Sequence, residues 1–188
     1  PEYLKYSENF KLRHCVDFSK LAIKIAKKKL GKRGKFYCKD FFKIKFEKDF
    51  FDCILSLHTI YHIDKNLQLN AVKKLLNISK KNSPVIIVYS NPNTILSRIK
   101  RIFTNKRKNK NNLYFFCHPI SWWSQFEKGA HVSIKPWRSF SSDHQKIIFP
   151  NNYLGKKLLD FLFIMEGIFE SFFINNFQYY VVVLKKNN

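Results

Sequence analysis

Two histidines, His58 and His62, stand four residues apart just beyond the apolar run "FDCILS", with Tyr61 between them. An imidazole titrates near neutrality, so either one is a candidate catalytic base that takes a proton from a nucleophile. The same spacing on a helix suits two metal ligands, but the zinc-protease pattern needs Glu directly after the first His. Thr59 stands there instead, and no third ligand accompanies the pair, so no metal is expected. The plain alternative is a pair of hydrogen-bonded loop histidines.

Two acids repeat a second pattern. Asp17 ends the short run "RHCVD", and Asp40 ends "KFYCKD". An acid at the foot of a helix is also favoured by the helix dipole, and an acid after a strand is ordinary loop chemistry. Asp52 precedes its apolar run rather than following it, which marks it as structural. Further along, Trp122, Trp123, Trp137 and Arg138 offer aromatic walls and a charged anchor for a small ligand. The competing reading is a packed lid. At least one of the adjacent tryptophans should pack, because a helix points neighbours about 100° apart.

These side chains need elements to hold them. "RHCVD" reads as a strand, after which Ser19 caps a helix whose face is Ala22, Ile25 and Ala26 and which Gly31 stops. "KFYCKD", "FDCILS" and "SPVIIVYS" read as further strands. The last two flank a helix over Asn66 to Lys80, with Leu69, Val72, Leu75, Leu76 and Ser79 on its inner face. Continuous apolar strands alternating with helices predict an α/β fold: a mostly parallel sheet covered on both faces, with ligands beyond the carboxyl ends of its strands. Those ends carry Asp17, Asp40, Ser56 to His62, and Ser90 to Asn93. Arg98 to Asn112 has seven basic residues and no acid, the pattern of a solvated loop. Beyond it come a short helix in "HPISWWSQF", a strand in "HVSIKPW", a helix over Asn152 to Ile174 and a closing strand in "FQYYVVVLKK". That ending predicts an antiparallel addition at one side of the sheet.

The chain has 188 residues and a net charge of +22, and it reads as one domain. Such a charge fits nucleic acid, an anionic membrane surface or an anionic substrate. A Lys-, Asn-, Ile- and Phe-rich, Gly-poor composition of the kind an AT-rich genome produces is the preferred explanation. Cys15, Cys38, Cys53 and Cys117 form no C-x-x-C pair, which suits a reducing cytoplasm. Leu158 to Ile174 approaches membrane length, yet Asp160, Glu166 and Glu170 interrupt it, so no membrane insertion is expected. The chain begins at Pro1 without a signal peptide and reads as a piece of something longer.

Three stretches, "CVDFSKLAIKIAKKKLG", "GKFYCKDFFKIKFEKDFFDCILSLHTIYHI" and "VIIVYSNP", together resemble the class I S-adenosylmethionine-dependent methyltransferases, in their small-molecule "type 11" branch. The resemblance implies a Rossmann-like three-layer sandwich with an antiparallel final strand, and S-adenosylmethionine as cofactor. It divides the chain into a cofactor-binding half (1–97), the basic loop (98–112) and an acceptor-side half (113–188). Asp17, with Phe18 beside it, would accept hydrogen bonds from the ribose hydroxyls. Asp40 would meet the adenine amino group, with Phe41 against the ring. Ser56, Leu57 and His58 would line the methionine arm, and Tyr61, Trp122, Trp123 and Arg138 the acceptor. The family's first strand and Gly-rich loop have no counterpart here, and that strand is central, between those matched by "RHCVD" and "FDCILS". The chain alone is therefore expected to bind cofactor weakly and to be inactive. "SNPNT" lacks the second Pro and the aromatic of the base-amino methyltransferase motif and follows the wrong strand. Methyl transfer to a small-molecule oxygen, nitrogen or carbon is the expectation. RNA methylation and a non-catalytic binding remnant are the alternatives.

Overall fold

The computed structural model describes residues 8–94, 114–140, 145–146, 148–169 and 177–187. The chain divides into two compact units, residues 1–46 and 47–188. The expected basic loop, Arg98 to Asn112, lies outside the described residues.

In the first unit, strand β1 (Arg13–Val16) and strand β2 (Gly34–Tyr37) pair in parallel, joined by helix α1 (Lys20–Leu30). Ser19 caps the helix as expected, its hydroxyl accepting from the N–H of Ala22 at 3.2 Å. Gly31 ends it at φ +53°, a left-handed conformation that a Cβ disfavours. The buried stripe is centred on Ile23, with Ala22, Ala26 and Leu30 half-covered, and Ile25 faces outward. The ladder continues one residue past β1, where the N–H of Asp17 donates to the carbonyl of Tyr37 at 3.1 Å.

The second unit carries strands β3 (Ile54–Leu57), β4 (Pro84–Ser90), β5 (Ala130–Arg138) and β6 (Tyr179–Lys186), in the order β3-β4-β6-β5. Helix α2 (Lys65–Ile78) links β3 to the parallel β4. Strand β6 runs antiparallel to both β4 and β5. The expected antiparallel addition is present, with the last strand inserted inside the sheet rather than on its rim. Val85, Ile87, Val88 and Tyr89 of β4 and Tyr180, Val182 and Leu184 of β6 are fully buried, which is why these runs are uniformly apolar. Pro136, which has no N–H to donate, is accommodated on edge strand β5 beside a register shift between Pro136 and Arg138.

Three boundaries or faces differ from the sequence reading. Strand β3 begins at Ile54 because Phe51 makes an isolated parallel bridge with Ser79, and Asp52 pairs with Lys80 at 2.6 Å on the surface. Helix α2 buries Gln68, Ala71, Val72, Leu75 and Ile78, not the stripe through Leu69 and Leu76, because a glutamine occupies an inner position. Helix α3 (Tyr153–Ile168), capped by Asn152, buries Gly155 and Glu166, while Leu154, Phe161, Ile164 and Ile168 stay exposed. The strands form two sheets, β1-β2 and β3-β4-β6-β5, and the break falls where the sequence reading lacks the family's central strand. No helix among the described residues is long and apolar enough to cross a membrane.

Candidate functional site

Asp17 is the first residue beyond β1, and its Oδ1 accepts from the N–H of Ser19 at 2.7 Å. The carboxylate thus closes the turn into α1. Its second oxygen makes no hydrogen bond among the described residues, and the side chain is exposed. Asp40 repeats the device, with Oδ1 accepting from the N–H of Phe42 at 2.8 Å at the start of the turn Phe41–Lys43. Both acids therefore keep acceptor capacity at the carboxyl end of their strands. Phe18, 73% exposed, flanks Asp17, and Phe41, half-buried, packs near Phe42 with ring centroids 5.9 Å apart.

In the second unit the strand ends differently. Ser56 and Leu57 lie inside β3, with Ser56 buried, so neither belongs to the loop leaving the strand. The turn comes at His58, whose φ is +55°. A non-glycine residue there is unusual, and such backbone strain clusters at functional positions. The N–H of His58 still donates to the carbonyl of Val88 at 3.2 Å, so the strained residue is anchored to the sheet.

His58 Nδ1 lies 2.9 Å from the hydroxyl of Tyr61. Its ring meets Tyr179 edge-on, with centroids 4.8 Å apart. Partial burial, then the positive Arg138 and then His62, hold the His58 pKa below its usual 6.5. Tyr61 is almost wholly buried, and burial raises its phenol well above the ordinary range, so it stays protonated. It acts on His58 rather than lining an open acceptor surface. His62 differs from its neighbour: its Nδ1 donates to the carbonyl of Tyr114 at 2.9 Å, and its ring packs against Phe115.

The tryptophans separate. Trp123 is fully buried, with its N–H donating to the hydroxyl of Tyr180 at 2.9 Å, so it has no surface to offer a ligand. Trp122, half-buried, stacks on His118 at 4.4 Å and 3°. Trp137, with Pro136 and Phe177, lines a cavity against Phe163 and Glu166. Arg138 closes β5 opposite Tyr179.

The sequence reading did not single out Tyr179 or the segment 114–118. That segment is fixed by Gln68, whose Nε2 donates to the carbonyls of Ile63 at 3.0 Å and Phe116 at 2.9 Å. The Gln68 Oε1 accepts from the hydroxyl of Tyr89 at 2.6 Å, and Tyr89 in turn accepts from the N–H of His118 at 3.0 Å. Only a polar residue on the inner face of α2 hinted at this network. Tyr179 carried no local signal, since its place beside His58 follows from long-range strand order.

Residues 2–87 match the family model described as "Methyltransferase domain". No curated protein matches the sequence. Among solved structures, a SAM dependent methyltransferase from Archaeoglobus fulgidus is similar over 98% of this chain and 91% of its own, at TM-score 0.60 and 16% identity. The N-methyltransferase NodS from Bradyrhizobium japonicum WM9, in complex with S-adenosyl-L-homocysteine, is similar over 97% of this chain and 70% of its own, at TM-score 0.58 and 10% identity. The [4+2]-cyclase SpnF is similar over 98% of this chain and 70% of its own, at TM-score 0.57 and 11% identity. At such identities the likeness concerns the fold. The cyclase illustrates that this fold hosts more than one reaction.

Proposed function

Because this chain has the class I S-adenosylmethionine-dependent methyltransferase fold and matches that family over residues 2–87, we propose that it transfers a methyl group to a small-molecule oxygen, nitrogen or carbon. The observation that carries the reading is Asp17, placed inside the matched stretch at the first position past β1, with acceptor capacity left on its carboxylate. S-adenosylmethionine supplies, when bound, an electrophilic methyl whose bond to sulfur breaks with the electron pair left on sulfur.

Taken unit by unit, the residue types suit that cofactor. Asp17, beside Phe18, accepts from the ribose hydroxyls, a pairing suited to a group with two acceptor oxygens. Asp40 accepts from the adenine amino group, with Phe41 against the ring. In the second unit, Leu57 and His58 would hold the methionine arm, as the family resemblance implies, with Ser56 inside β3. On the acceptor side Arg138 is the charged anchor, and Trp122 offers its half-buried face.

His58 is the base. With Nδ1–H donated to the oxygen of Tyr61, Nε2 keeps its lone pair and takes the proton that the acceptor sheds as it gains the methyl. The lowered pKa keeps the imidazole neutral at physiological pH. His62, its Nδ1 held by Tyr114, is the weaker candidate. Orientation contributes most of the acceleration and proton removal second.

Calorimetry with S-adenosylhomocysteine, on the chain extended upstream by the family's first strand and Gly-rich loop, tests the assignment. Asp17→Ala should keep its circular dichroism and weaken the affinity by roughly tenfold or more, the loss of charge-assisted hydrogen bonds. An unchanged affinity in a folded variant overturns it. A steep fall in activity with salt would favour an RNA acceptor instead.

A further inference from the structure

The acceptor's chemistry can be read from one charge. Arg138 is half-buried at the end of β5, and among the described residues its guanidinium makes no hydrogen bond and no ion pair. The ion pairs there are Lys80 with Asp52 and Lys186 with Asp49. Glu166 makes none with it, and its Oε1 accepts instead from the N–H of Ser139 at 3.1 Å. A guanidinium drawn partly out of water without an anion is an incomplete arrangement.

Its surroundings are the proposed reaction centre. Tyr179, its cross-strand partner, presents its ring to His58 at 4.8 Å, and Tyr61 holds His58 through Nδ1. Cys117, its thiol pushed up to about 12 by burial, bonds to Ser90 and stays uncharged. Among the described residues, the groups facing His58 are thus the Arg138 cation, the protonated phenol of Tyr61, the ring of Tyr179 and His62, with no acid among them.

Resting on the reading of this chain as a methyltransferase, we infer that its acceptor is a small molecule bearing a carboxylate, which Arg138 grips while the atom to be methylated faces His58. The planar fork of a guanidinium matches the two oxygens of a carboxylate. Tyr179 is a positioning residue that fixes the imidazole beside that fork. A second consequence follows for the base. The bound carboxylate cancels the charge of Arg138, so His58 becomes more basic when the acceptor is seated.

Benzoate serves as the probe and neutral benzamide as its control, read by the imidazole C–H signals in NMR titrations. His58→Gln assigns the His58 signal by its disappearance. Benzoate should bind the wild type and move the His58 midpoint to higher pH. Arg138→Met should raise that midpoint without any ligand, weaken benzoate by roughly tenfold or more, and leave S-adenosylhomocysteine affinity unchanged. Equal benzoate binding to wild type and Arg138→Met, or equal binding of benzamide and benzoate, overturns the inference. A selective loss of S-adenosylhomocysteine affinity in Arg138→Met overturns it too, by assigning the guanidinium to the cofactor's carboxylate. Failure of the wild type, extended upstream by the family's first strand and Gly-rich loop, to bind S-adenosylhomocysteine at all would instead remove the methyltransferase reading on which the inference rests.

Discussion

His58 gathers the most demanding features into one residue: a left-handed backbone, a phenol on Nδ1 and a cation near the ring. A base with a lowered pKa must lose its proton before it works, so the rate should rise with pH through that pKa and level off above it. The acidic limb of kcat/KM should therefore lie below the ordinary 6.5. Removing a positive neighbour raises an imidazole pKa, so Arg138→Met should move the limb toward alkaline pH, which a pH-rate profile checks directly. His58→Gln keeps a partner for Tyr61 but no base, and in the chain extended upstream by the missing strand and loop it should slow methyl transfer by about a hundredfold at saturating substrate. At this scale the sequence was informative about identity and poor about surroundings. The acids and histidines stood out because polar residues at the ends of apolar runs are conspicuous. Which tryptophan packs, and that Tyr179 touches His58, depend on strands far apart in the chain.

Helix α2 shows what periodicity leaves out. Its length and place were legible from the spacing of Val72 and Leu75, but Gln68 rotates the buried stripe away from Leu69 and Leu76. The glutamine is tolerated inside because each of its polar atoms has a partner: Ile63, Phe116 and Tyr89. Gln68→Leu strands two carbonyls and a phenol, each costing about 1–3 kcal/mol when buried. The variant should lose about 3 kcal/mol or more in urea unfolding, and the packing of segment 114–118 beside His62 should loosen with it. An unchanged urea midpoint in Gln68→Leu would show that the network contributes little. Strand β4 was legible end to end because it is buried on both faces. Strand β3 was legible only in its second half, since a bridge to Ser79, not the ladder, holds Phe51.

For the molecule as a whole, three histidines report on pH together. Burial holds His14, His58 and His118 below 6.5, so the folded chain binds fewer protons than the unfolded one as that range is crossed. Their contribution to stability is fully present above 6.5 and is lost as pH falls from 6.5 through the lowered values. Urea midpoints should drop between pH 7.5 and 5, the neighbourhood of that range. Asp49, its carboxyl held down by Lys186, acts only below its usual 3.8 and leaves this window clear. The α/β class and the antiparallel last strand were legible because burial writes itself into apolar runs. The division into two units separates "RHCVD" from "FDCILS", the strands between which the family's absent first strand would lie. That division has a kinetic consequence. Strands β1 and β2 are four residues each and only partly covered, whereas β4 and β6 cross seven registered pairs through fully buried positions. Backbone amides in a short two-stranded ladder open far more readily than those in a sheet interior. In deuterated water, the amides of β2 that donate to β1 should exchange well before those of Ile87 and Val182. Mass spectra of the two regions should then record separate opening events rather than one cooperative unfolding.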